Sequence, residues 1–128
     1  MKLGISNEKK IIVTRSLTAK AMGSGDLEVF ATPAMIALME GCAAESVSDY
    51  LDEGETTVGV SIQVKHLAAT PIDMQVTCES VLKEMDGRRL CFELKVQDES
   101  GLIGTGVHER YIVNGDRFLK KTYQKLEK

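Results

Sequence analysis

The chain has 128 residues, 43% hydrophobic and 27% charged, with a formal net charge of -3 and a pI near 5.4. That length and balance suit one domain with a real core and leave too little chain for two. The mild acidity excludes a phosphate-tracking basic surface, and with it nucleic acid as a partner. The opening "MKLGISNEKK" lacks the apolar run of a signal peptide, and no stretch has the length of a membrane span. Cys42, Cys78 and Cys91 are odd in number and lack CxxC spacing. They support neither a disulfide framework nor a zinc site, and the expectation is reduced, buried thiols in a cytoplasmic protein.

In chain order, "KKIIVTRSLTA" predicts a first strand with Ile11, Val13 and Leu17 on one parity. "AMGSGDLEVF" is rich in turn residues and reads as a loop. A long helix follows in "ATPAMIALMEGCAAESVSDYLDEG". Thr32 is its expected N-cap, Pro33 its first helical residue and Gly54 its stop. Ile36, Met39, Ala43, Val47 and Tyr50 form the expected buried stripe. Gly41 inside the helix would let another backbone approach. Four strands finish the chain: "TTVGVSIQVKH", "DMQVTCESVLKEM", "LCFELKVQD" and "LIGTGVHERYIV". Asp86-Gly87 marks a hairpin between the second and third of these. The tail, 116–128, is basic and predicts a solvated surface segment or frayed helix. The prediction is an α+β domain spanning 1–128, with its core at about 10–115. An antiparallel meander curves around one long helix, which is the hot-dog fold. A cystatin-like arrangement ranks second, because here a strand precedes the helix.

Three residues stand out chemically. Val58, Val60, Ile62 and Val64 alternate as a half-buried strand should, and His66 continues that face. Glu40 lies about 60° from the centre of the apolar helix stripe. It is either a half-buried carboxylate or a shoulder glutamate reaching water. A carboxylate and an imidazole on facing elements can pair, orient a water and take its proton. Thr32 could serve as a cap alone, or add a hydroxyl beside the free N–H groups of Ala34 and Met35 to hold an oxyanion. Thr32 and Glu40 are about 12 Å apart along a helix axis. One carbonyl could meet both only if two helices pair antiparallel across a two-fold axis, so a composite site at a dimer interface is expected. "GTGVHER" places Gly104, Gly106, His108 and Arg110 on one face. The glycines suit close packing of another element, and Arg110 or His108 could hold an anion or brace the site.

Together, "VFATPAMIALMEGCAAESV", "TTVGVSIQVKHLAATP" and "GTGVHERYIV" resemble the hot-dog thioesterases related to fluoroacetyl-CoA thioesterase, over roughly residues 10 to 115. The resemblance implies catalysis by Thr32, Glu40 and His66, with Gly59 beside the bound acyl group and Arg110 in the final strand. Before the helix, "GSGDLEVF" departs from the aromatic, proline-containing segment of the fluoroacetate enzyme. The expected activity is hydrolysis of a short or compact acyl-CoA to the free acid and CoA. No metal or separate cofactor is expected, and coenzyme A enters only as part of the substrate. A homodimer, possibly a tetramer, is expected, with neither membrane nor nucleic acid as partner. A non-catalytic acyl-CoA-binding protein and a hot-dog hydratase or dehydratase are the alternatives.

Overall fold

A computed structural model describes residues 1–127. Strand β1 spans Ser6–Ile12, helix α1 Ala19–Met22 and helix α2 Thr32–Val47. Strands β2 (Glu55–His66), β3 (Gln75–Asp86), β4 (Arg89–Asp98) and β5 (Gly101–Asn114) follow, then helix α3 (Gly115–Tyr123). One five-stranded antiparallel sheet runs in the order β1-β3-β4-β5-β2. Its concave face holds α2, whose Met35, Leu38, Met39, Cys42, Ala43 and Val47 are buried. They pack with Val76, Cys78, Leu82, Leu90, Phe92, Leu94 and Val96 from the sheet. The strands alternate buried and exposed side chains because only one face meets the helix. Among the described residues no helix is long and apolar enough to cross a membrane.

Four details differ from the sequence reading. First, β1 ends at Ile12. Beyond it a 3-10 turn at Arg15–Leu17 leads into α1, where the Thr18 hydroxyl accepts from the Ala21 N–H at 3.2 Å. Second, α2 stops at Val47, not Gly54. The Ser48 hydroxyl bonds back to the Glu45 carbonyl at 3.0 Å, and a 3-10 turn follows. That leaves Tyr50 exposed, while Gly54, at φ +83°, makes the turn into β2. Third, only β3, β4 and β5 form a meander. Strand β2 pairs with β5, and the segment after His66 carries the chain past the start of α2 to β3, with the Phe30 N–H bonded to the Thr70 carbonyl at 2.9 Å. Both β1 and β2 are therefore edge strands.

The fourth difference matters most for the site. The β2–β5 register slips between Gly59 and Ser61, so Val60 is an extra residue. Ile62, Val64 and His66 keep the inward face, but before the bulge that face belongs to Thr57 and Gly59. Val60 is turned out to 51% exposure. On α2, Gly41 is covered by the aliphatic stem of Lys9, whose ammonium pairs with Glu45. In the final strand, a Cβ on Gly104 would lie 2.6 Å from the Met35 sulfur, and one on Gly106 3.1 Å from that of Met39. These glycines are the floor on which the methionines of α2 rest.

Candidate active site

Two clusters line the concave face. The first lies at the N-terminal end of α2. Ala31 is the N-cap and Thr32 the first helical residue, which differs from the expected Thr32 cap. The Thr32 side chain caps nothing. Its hydroxyl instead meets His66 Nδ1 at 2.8 Å. Pro33 has no N–H, and the Met35 N–H already donates to the Ala31 carbonyl at 3.0 Å. Met35 is thereby removed from the expected anion-binding pair. The N–H groups of Thr32 and Ala34 are the ones the helix itself leaves without an acceptor.

His66 is half-buried, with Phe30 edge-on at a centroid distance of 6.4 Å. Its Nε2 is buried and has no hydrogen-bond partner among the described residues. Burial pushes the His66 pKa below the usual imidazole value, opposed by the backbone at Ala68. A neutral imidazole with one nitrogen held by a hydroxyl and the other bare is equipped to pass a proton. An open cleft of about 340 Å³ reaches this pair, walled by Ala19, Ser24, Phe30 and Ala68 among others.

The second cluster centres on Glu40. Its Oε2 lies 3.7 Å from Arg110 Nη1, and its side chain is 43% exposed. Arg110 is buried and held on three sides. Its Nε donates to the Thr57 hydroxyl at 2.8 Å, and its Nη2 donates to the Thr57 carbonyl at 2.9 Å. Its Nη1 faces His108 Nε2 at 3.1 Å. His108 Nδ1 lies 2.7 Å from the Ser61 carbonyl, which can only accept. Nδ1 therefore carries the proton, and Nε2 is left as an acceptor for Arg110. Burial holds the His108 pKa below the ordinary value, and the Arg110 charge adds to that. Burial also draws the Arg110 pKa down, opposed by Glu40. A guanidinium stays charged even so. Glu40 thus has a fixed cation beside it, and a Cβ on Gly59 would sit 2.7 Å from its Oε2. Any larger residue at 59 would compete with the carboxylate for space.

The structure therefore brings Thr32 and His66 together, and separately Glu40, Gly59 and Arg110. The expected pairing of Glu40 with His66 is not made within the chain. The imidazole is spent on Thr32 and the carboxylate on Arg110, because Glu40 lies two helical turns beyond the cleft. Sequence reading missed Thr57. By strict alternation from His66 it falls on the outward face, and only the bulge at Val60 turns it inward. No group of His, Cys, Asp and Glu with metal-binding geometry occurs among the described residues.

Residues 13–116 match the family model of the fluoroacetyl-CoA-specific thioesterase, FlK. The fluoroacetyl-CoA thioesterase of Streptantibioticus cattleyicolor is 40% identical over 98 residues, 77% of this chain and 70% of that protein. A crystal structure of the fluoroacetyl-CoA thioesterase FlK superposes with a TM-score of 0.92 at 33% identity, covering 98% of this chain and 97% of that one. A hot-dog-like protein from Thermanaerovibrio acidaminovorans superposes at 0.91 with 26% identity, covering 100% of this chain and 95% of its own. The fold and the sequence thus agree, and the chain belongs to the fluoroacetyl-CoA-specific thioesterase family, thioester hydrolases built on the hot-dog fold.

Proposed function

We propose that this protein hydrolyses the thioester of a compact acyl-CoA to the free acid and CoA, at a site shared between two copies of the chain. The observation that carries the proposal is the Thr32–His66 hydrogen bond at the open end of α2, in a chain whose family cleaves thioesters. The substrate carbonyl lies against the Thr32 hydroxyl and the unsatisfied N–H groups of Thr32 and Ala34, which polarise it. Water attacks the carbonyl carbon, Glu40 removes a proton from that water, and the C–S bond breaks. The proton reaches the departing thiolate from Glu40 directly or through the His66 imidazole, so charge and protons balance. Attack by Glu40 itself through an anhydride is the other route open to this carboxylate. Arg110, pinned by Thr57 and His108, holds Glu40 in place. Gly59 leaves room for the Glu40 carboxylate beside it.

The separation of Thr32 and Glu40 along one helix supports a two-fold assembly. Antiparallel pairing would lay the Thr32 end of one copy beside Glu40 of its partner. The outer edge of the 12-residue strand β2 is unpaired in the single chain and supplies a surface for such pairing. A homodimer, and a tetramer formed from it, fit this scheme. The chain's three buried, unbridged thiols suit the cytoplasm.

The test is release of free thiol from acyl-CoA esters by wild type and Glu40→Gln. Glutamine preserves the volume and an acceptor oxygen for Arg110, so the fold should survive. Turnover should fall by roughly 10²- to 10⁴-fold. Full turnover in a folded variant refutes the role of Glu40. Tight binding of CoA esters by wild type without hydrolysis would instead identify a binding protein.

A further inference from the structure

The cleft that contains Thr32 and His66 extends well past them. We infer that it is an acyl subsite for uncharged groups of about four to eight carbons, larger than acetyl; the inference rests on the thioesterase reading above. Three observations carry it. The first is size. The space is about 340 Å³ and opens on both catalytic side chains, so a carbonyl held at Thr32 directs its acyl chain into it. A cavity of roughly 150 Å³ holds a benzene ring. A six-carbon chain or a ring therefore fits even though part of the cleft is open to solvent, whereas an acetyl group leaves most of it empty.

The second observation is the chemistry of the walls. Ala19, Val29, Phe30, Leu67 and Ala68 are apolar, Ser24 is neutral, and no lysine, arginine, aspartate or glutamate lines the cleft. The nearby segment carries Asp26 and Glu28, with Glu28 paired to Arg15 at 2.7 Å. A second carboxylate on the acyl group would find no cation in the lining to pair with, and the nearby Arg15 is already matched by Glu28. The third is the absence of a plug. Residues 21–28 are all exposed and none is aromatic, so no bulky side chain of this segment fills the space beside His66. Ser24 and Ala68 are small residues of its lining, so added bulk at either narrows it.

The experiment is kcat/KM for thiol release across acetyl-, butyryl-, hexanoyl-, benzoyl-, decanoyl- and succinyl-CoA. Wild type is compared with Ser24→Phe and Ala68→Phe. Burial of each methylene is worth roughly two- to fourfold. Wild type should therefore favour hexanoyl- over acetyl-CoA by at least about tenfold. Succinyl-CoA should be the poorest four-carbon substrate. Each phenylalanine variant should lower the hexanoyl-to-acetyl ratio at least about tenfold, a change that a general loss of stability does not produce. Hydrolysis that is fastest on acetyl-CoA, with a ratio both variants leave unmoved, overturns the subsite while the thioesterase reading stands. No thiol release from any ester overturns that reading and the subsite with it.

Discussion

Replacing Gly59 with alanine is the sharpest perturbation available to the site. The new Cβ would sit 2.7 Å from Glu40 Oε2, 3.2 Å from His108 Cε1 and 3.3 Å from Arg110 Nη1. Arg110 is buried and tied to Thr57 and His108, so it has little freedom to retreat. Glu40 is 43% exposed and can move. A relaxed carbon–oxygen contact near 3.5 Å requires its carboxylate to shift by roughly 0.8 Å. A displacement of about 1 Å at a reacting group can cost about a hundredfold in rate. We expect kcat/KM to fall roughly thirty- to a hundredfold. Stability should change little. The disturbed ion pair is worth about 1 kcal/mol or less, and alanine in a strand regains up to about 1 kcal/mol over glycine. Thiol-release kinetics beside a urea melt separate the two effects. A Gly59→Ala enzyme within twofold of wild type would show that the position of Glu40 in this chain does not govern the chemistry.

Other expectations follow from the same geometry. His66 and His108 both have depressed pKa values, so the unfolded chain takes up their protons first. Their contribution to stability is complete above about pH 6.5 and declines as pH drops through that value toward the folded ones. The urea midpoint should therefore be lower at pH 5.5 than at 7.5, with a shallower dependence in His108→Gln; a midpoint that rises on acidification contradicts the assignment. Gly104→Ala places a methyl 2.6 Å from the Met35 sulfur and 3.1 Å from the Lys65 carbonyl. It should destabilise by about 1–3 kcal/mol in urea unfolding. Gly106→Ala meets nothing nearer than the Met39 sulfur at 3.1 Å and should cost less. All three cysteines are buried, so an aromatic disulfide reagent should find almost no fast-reacting thiol in the native protein and three in denaturant; one fast thiol per chain would contradict the burial of Cys42, Cys78 or Cys91.

What the sequence determined by itself is what short-range periodicity can encode. Leu90, Phe92, Leu94 and Val96 alternate, and all four are buried. Asp86-Gly87 turns, with Gly87 at φ +60°. The helix start, the apolar helix face and the inward His66 were likewise legible, and with them the candidates Thr32, Glu40 and Arg110. Tertiary structure decided the rest. Nothing local says that β2 skips β3 to pair with β5, because pairing partners are chosen by where the helix leaves the chain. The bulge at Val60 is invisible to a period of two, since each half of β2 alternates correctly by itself. Only the register against β5 shows that Thr57 and Gly59 face inward, which puts one beneath Arg110 and the other against Glu40. The division of the site into a Thr32–His66 pair and a Glu40–Arg110 pair has the same origin. A helix advances about 1.5 Å per residue, and eight residues separate the two groups whatever their chemistry. A side chain's identity states what it can bond; which of several partners it meets is a matter of distances that only the packed sheet and helix set.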